Sequence, residues 1–195
     1  MRKAEITRNT KETQIEASWN LDDGGPSDIK TGVGFLDHML VLLAGHSGTE
    51  LKLHAHGDTY VDCHHTVEDV GIVLGKLLDE AAGNRNGIKR YGSFTLPMDE
   101  ALVQVNMDFG GRAFFVYNCD IPKVRLGDYD TEMTEEFFRA VAFNSRMTLH
   151  INVLYGSNCH HIIEGIFKAF AHALKEAITV DENIKGVLST KGVIV

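Results

Sequence analysis

A chain of 195 residues can bury a full core and has the size of one domain or two small ones. With 27 Asp and Glu against 19 Lys and Arg, its acidity argues against a general binder of nucleic acid or of membrane surfaces. The first residues carry no apolar run of the signal-peptide kind, and the longest apolar stretch, around Met39 to Ala44, is far too short to span a bilayer. Three cysteines, Cys63, Cys119 and Cys159, make no disulfide framework, so a cytoplasmic location with reduced thiols is expected.

In chain order, TQIEASWNL alternates Ile15, Ala17, Trp19 and Leu21 with polar residues, the pattern of a half-buried strand. DDGGPSD follows as a turn by its Gly, Pro and Asp content. GFLDHMLVLLAGHSG reads as a helix and ELKLHAH as another alternating strand. From Thr66 onward Val70, Val73, Leu74, Leu77, Leu78 and Ala81 recur at helical spacing, and AGNRNG supplies the Gly and Asn of a helix end. Beyond it, SFTLPMD, ALVQVNMDF and RAFFVYNC are strands, TEMTEEFFRAVAFNS is a helix opened by a threonine cap, and MTLHINVLY is a strand. Ile162, Ile163, Ile166, Phe167, Phe170 and Leu174 line one face of a last helix.

The chain repeats itself. Aligned without gaps, residues 53–81 and 149–177 share nine identities in 29 positions, among them Leu53/Leu149, His54/His150, Cys63/Cys159, His64/His160, His65/His161 and Glu68/Glu164. Two copies are too few for a solenoid and point to a pair of half-domains, 1–88 and 89–195, forming one catalytic unit. Each half reads as about three strands, a helix, a strand and a helix. Without regular strand–helix alternation this is an α+β architecture.

The repeated element is Cys-His-His-x-x-Glu at a helix N-terminus. Residues four apart stack on one helix face, so His64 with Glu68, and His160 with Glu164, can chelate one metal ion each. His65 and His161 are rotated by about 100° and point elsewhere. One ion could then take His64, Glu68 and His161, and the other His160, Glu164 and His65, leaving positions open for substrate. His38 lies 26 residues before His64 and Glu136 lies 24 before His160, as possible fourth ligands. Imidazole and carboxylate without thiolate favour Mn, Fe or Zn, and Cys63 and Cys159 read as packing residues. His54 and His150 read as structural or supporting histidines, and His172 as a surface residue of the last helix.

Three features suit an anionic ligand. Arg90 follows the glycine-rich GNRNGIKR, Arg112 follows the tight FGGR corner, and LSTKG offers Ser189, Thr190, Lys191 and backbone N–H groups within a few residues. Together with a paired metal site they indicate a small phosphorylated substrate.

GFLDHML, HHTVEDVGI, TLHI, NCHHIIEGIFKAFAHAL and the closing STKGV, spread from about Arg8 to Val193, resemble the monofunctional imidazoleglycerol-phosphate dehydratase family of histidine biosynthesis. That resemblance implies tandem βββαβα halves of the ribosomal protein S5 domain 2-like type, with helices packed between two sheets. It also implies a 24-subunit homo-oligomer with two Mn²⁺ per active site and ligands drawn from neighbouring subunits, with no nucleic-acid or membrane partner. Carried over by position, His38, His65, His160 and Glu164 would hold one ion, and His64, Glu68 and His161 the other. The family's fourth ligand to the second ion is commonly the His of an EHFF context; this chain reads EEFF, which puts Glu136 there. Substrate or phosphate contacts would fall to Glu12, His46, Arg90, Arg112, Lys168, Ser189, Thr190 and Lys191.

The implied reaction is a hydro-lyase step, loss of water from D-erythro-imidazole glycerol phosphate to give imidazole acetol phosphate. Metals on the ring nitrogens would favour the imidazolate, which expels the C3 hydroxyl to a diazafulvene and so acidifies the C2 proton. Glu12, Glu68 and Glu164 are all candidates for the carboxylate that removes that proton. Two rivals stand behind this reading: a metal-dependent hydrolase of phosphorylated substrates, and a non-catalytic metal-binding shell.

Overall fold

Both halves build a four-stranded sheet of the same topology. The computed structural model describes residues 1–194. The first half contributes β1 (Lys3–Asn9), β2 (Thr13–Asn20), β3 (Asp28–Lys30), α1 (Gly34–Ser47), β4 (Glu50–Gly57) and α2 (His64–Ala82). The second contributes β5 (Tyr91–Met98), β6 (Ala101–Asp108), β7 (Phe114–Asn118), the short strands β8 (Arg125–Leu126) and β9 (Tyr129–Asp130), α3 (Met133–Asn144), β10 (Thr148–Tyr155) and α4 (Cys159–Ile178). The sheet orders are β1-β2-β4-β3 and β5-β6-β10-β7; in each, two antiparallel pairings precede one parallel pairing reached through a helix.

The helices fill the space between the sheets. α2 lies on β1 and β2, and α4 lies on β5 and β6, while α1 packs on α4 and α2 packs on α3. Each half's first helix therefore meets the other half's second helix. Phe137 and Phe138 of α3 stack with Phe167 and Phe170 of α4 at centroid distances of 4.8–5.2 Å. Each such buried ring contributes about 1.5–3 kcal/mol of transfer free energy to the core of the second half, while the α1–α4 and α2–α3 contacts join the two halves. α2 and α3 approach closely because Gly71 and Gly75 present no side chain there. A Cβ on Gly71 would lie 2.8 Å from Phe137 O, and one on Gly75 2.7 Å from Val141 O.

Three local expectations are corrected. β1 and β3 went unread: β1 alternates, with Ala4 buried and Ile6 and Arg8 half-buried, but that inward face carries only two apolar residues, and β3 is three residues that take over the end of the expected DDGGPSD turn. Thr131 does not cap α3. Its hydroxyl donates to Pro122 O at 2.8 Å and accepts from Val124 N, pinning the loop before the helix. The N-terminus of α1 is instead satisfied from 94 residues away, where Asp128 in the β8–β9 turn accepts from Gly34 N at 2.8 Å. Among the described residues no helix is long and apolar enough to cross a membrane.

Candidate active site

The packing of α1 on α4 brings His38 to the second His-His-x-x-Glu motif. Asn158 caps α4 by accepting from the backbone N–H groups of His160 and His161, which starts the helix where His160 and Glu164 fall on one face. His160 Nε2 lies 3.1 Å and His38 Nε2 3.6 Å from the same Glu164 oxygen. Ligand atoms of the three residues lie within 4.8 Å of one another. Glu164 is buried, and its other oxygen accepts from Lys168 Nζ at 2.5 Å. Burial pushes its carboxyl up, but Lys168, His160 and His38 outweigh that and hold it below the usual carboxylate range. Two imidazoles and an ionised carboxylate converging without a thiolate fit a divalent cation.

The packing of α2 on α3 makes the counterpart. His64 Nε2 lies 3.7 Å from Glu68 Oε2, and His64 shares a cavity of about 470 Å³ with Glu135 and Glu136 of α3. Glu136 is 3.5 Å from Arg139 Nε. This cluster is more open than the first, and it holds one imidazole where the other holds two.

The second histidine of each motif points away, as the helical rotation requires. His65 Nδ1 meets Asp58 at 3.0 Å, and its Nε2 is 3.8 Å from Glu12. His161 Nδ1 meets Glu100 at 2.8 Å, and its Nε2 is 3.7 Å from Asp99. The hydrogen bond that His65 donates to Asp58 raises its imidazole above the usual range, and the one His161 donates to Glu100 does the same there. Glu100 itself is lowered to about 2 by His161 and by the backbone N–H of Asn158. A single chain brings neither His65 to the His38–His160–Glu164 cluster nor His161 to His64 and Glu68.

The expected anion-binding residues do come together. Arg90, Arg112, Ser189, Thr190 and Lys191 line one cavity of about 480 Å³, beside Gly110. Arg90 adopts φ +69° and its guanidinium is braced by Asp108 and Leu188 O, while among the described residues Arg112 and Lys191 pair with no carboxylate. A Cβ on Gly110 would fall 2.5 Å from both Arg90 Nη2 and Asp108 Oδ1, so any side chain there would push the braced guanidinium aside. This cavity sits at the far end of α4 from the metal-type cluster. Arg90 N donates to Ala177 O, and His160 and Ala177 are 17 residues apart, about 26 Å along a helix.

Of the other expected contacts, Glu12 lies exposed in the β1–β2 turn, its backbone N–H on Thr10 Oγ1. His46 does not stand alone. Its Nδ1 is 3.2 Å from Nε2 of His172, which stacks on Phe94 at 4.3 Å, so His172 is a packed residue and not the free surface histidine expected. His54 pairs with Asp28 at 2.9 Å on the exposed side of the first sheet, and His150 is half-buried on β10. Cys63 is buried, with burial raising its thiol above the usual range. Sequence reasoning missed Asp58, Asp99 and Glu100; their only sequence signal was their position in loops, with no periodicity to mark them.

Fold and site together define a duplicated α+β protein with a converging imidazole–carboxylate trio at the α1–α4 seam, a lone His64–Glu68 pair on α2, and a separate cavity lined by Arg90, Arg112 and Lys191. A family model described as imidazoleglycerol-phosphate dehydratase matches residues 31–174. The imidazoleglycerol-phosphate dehydratase of Clostridium novyi (strain NT) is 58% identical over 193 residues, 99% of this chain and 98% of that protein. The crystal structure of imidazoleglycerol-phosphate dehydratase from Staphylococcus aureus subsp. aureus N315 superposes with TM-score 0.84 at 45% identity, covering 92% of this chain and 99% of that one. The corresponding Pyrococcus furiosus structure gives TM-score 0.83 at 35% identity, covering 96% and 99%. The chain belongs to the imidazoleglycerol-phosphate dehydratase family.

Proposed function

We propose that the dehydration for which the family is named runs here in the cytoplasm, at sites holding two Mn²⁺ each and completed by neighbouring copies of the chain. The substrate is D-erythro-imidazole glycerol phosphate and the product imidazole acetol phosphate. One observation carries the metal reading: His38, His160 and Glu164 converge within 4.8 Å. The same donors joined by His65 of another copy would hold one ion; His64, Glu68 and Glu136 joined by His161 of another copy would hold the second. A divalent cation held by these residues would supply Lewis acidity, making the substrate's imidazole N–H more acidic so that the electron-rich imidazolate could assist loss of a neighbouring hydroxyl.

The remaining work falls to side chains. Arg90, Arg112, Lys191 and the hydroxyls of Ser189 and Thr190 are suited to grip the phosphate. Glu12 is the carboxylate best suited to take the C2 proton, because Glu68 and Glu164 are assigned to the two metal ions in this reading. Glu12 Oε1 stands beyond hydrogen-bond reach of its nearest imidazole, at 3.8 Å. Lys168, bonded to Glu164, neutralises that carboxylate, and His46 flanks the same α1–α4 seam.

Assembly follows from reach. A substrate about 10 Å long cannot span the roughly 26 Å of α4 between the phosphate-type cavity and the His160 end in one chain. Exposed Phe114, Phe143, Leu154 and Tyr155 supply apolar surface of the kind an interface buries. The 24-subunit count comes from the resemblance alone. The test is absorbance of the enolised product from imidazole glycerol phosphate, using metal-stripped protein before and after Mn²⁺. Metal-dependent product is expected. No product at any metal concentration, from protein that binds Mn²⁺, would sink the reading, and phosphate release in its place would indicate the hydrolase.

A further inference from the structure

The two histidines that stand apart from their clusters are each held on one edge by a carboxylate. His65 Nδ1 lies 3.0 and 3.2 Å from the two oxygens of Asp58, and His161 Nδ1 lies 2.8 Å from Glu100 Oε2. We infer that Asp58 and Glu100 are positioning residues, each fixing the ring and tautomer of the second histidine of its pair so that Nε2 is presented to a metal ion. This rests on the metal reading above.

The chemistry requires such a partner. A neutral imidazole has one N–H and one lone pair, and only the bare nitrogen can ligate. An Nδ1–H donated to a carboxylate puts the lone pair on Nε2, stops the ring from turning and makes that nitrogen a better donor. His64 and His160 are placed differently, with Nε2 facing Glu68 and Glu164 of their own helix face, the arrangement expected where each pair shares one cation.

Both residues are themselves held. The backbone of Asp58 donates N–H to Glu12 O at 3.1 Å and its carbonyl accepts from Val61 N at 2.9 Å. The second oxygen of Glu100 accepts from Asn158 N at 2.7 Å and Ser157 N at 3.2 Å, locking the β5–β6 turn to the start of α4.

The two devices are not repeats of one another, and their difference bears on catalysis. In the gapless alignment Asp58 falls opposite Leu154, which offers no acceptor. The second half fills the role from the β5–β6 turn, the topological counterpart of the β1–β2 turn that holds Glu12. In the first half Asp58 takes the Nδ1 edge, which leaves the turn glutamate, Glu12, free. In the second half the turn glutamate, Glu100, is spent on orientation.

The experiment is an electron paramagnetic resonance titration of free Mn²⁺ into the metal-stripped, assembled protein, with Asp58→Ala, Glu100→Ala, the double variant, and Asp58→Asn and Glu100→Gln. Each alanine variant should retain one of two ions per chain at full affinity and bind the other ~10–100-fold more weakly, and the double variant should weaken both. The amide variants, whose oxygen still accepts Nδ1–H, should recover part of the loss. The melting temperature without metal should stay at the wild-type value in Asp58→Ala, whose side chain holds only His65. In Glu100→Ala, which also frees Ser157 N and Asn158 N, it should fall, and Glu100→Gln should restore it. Alanine variants that bind both ions as wild type does would overturn the inference, as would equal weakening of both ions with a lowered metal-free melting temperature. A wild-type protein that takes up no Mn²⁺ would overturn the metal reading itself, and this inference with it.

Discussion

Arg90 and Asp108 form a two-pronged ion pair across the β5–β6 hairpin, Nε to Oδ1 at 2.6 Å and Nη2 to Oδ2 at 2.9 Å. The pair leaves Nη1 on Leu188 O at 2.6 Å, so it aims the guanidinium at the segment bearing Ser189, Thr190 and Lys191. Asp108→Asn should loosen that aim by about 1–2 kcal/mol, read as a KM for substrate raised roughly 5–30-fold. An unchanged kcat would mark the loss as one of binding.

Gly92 tests the seating of α4. A Cβ there would lie 1.9 Å from Ala173 O, a backbone atom of the helix that carries His160 and Glu164. Gly92→Ala should lower stability by about 1–3 kcal/mol through overpacking, seen as a reduced urea midpoint at unchanged slope.

Stability should decline in mild acid through His46 and His172. Burial lowers both imidazoles from the ordinary 6.5, aided for His46 by Lys168 and for His172 by His46 and Lys175. The unfolded chain therefore takes up these protons first as pH falls. Their contribution is present above pH 6.5 and is lost as pH drops below it toward the depressed folded values. Melting temperature against pH should fall less steeply below 6.5 in His172→Gln than in wild type; parallel curves would refute the assignment.

Metal should stabilise the fold and Glu164 should mediate part of that. At free Mn²⁺ a hundredfold above its Kd, one site adds about 2.7 kcal/mol. Chelator should lower the wild-type melting temperature, and Glu164→Gln should respond to added Mn²⁺ by a smaller rise than wild type.

What was legible in the sequence was local. The four-residue spacing of His64 with Glu68 and of His160 with Glu164 needs only helical geometry, and the structure sets both pairs on one face as expected. Most strands and all four helices follow from alternation and apolar periodicity over eight or more residues. β1 escaped because the inward face of this edge strand is Ala4, Ile6 and Arg8, too little apolar surface to mark an alternation in the residue types.

Pairings across the chain were decided elsewhere. The amino-acid sequence by itself determined the duplication, because identical residues recur at one offset, and the helical chelates and the Ser189–Thr190–Lys191 cradle, because each lies within a few consecutive residues. Only the tertiary structure decided that α1 meets α4 and α2 meets α3, so that each half's chelate is joined by a helix of the other. It also placed Asp128 on the α1 terminus and Asp58 and Glu100 on the two turned-away histidines. Those choices depend on which glycine faces and aromatic rings fit together in the core, a matter of shape between surfaces distant in sequence, which no periodicity encodes.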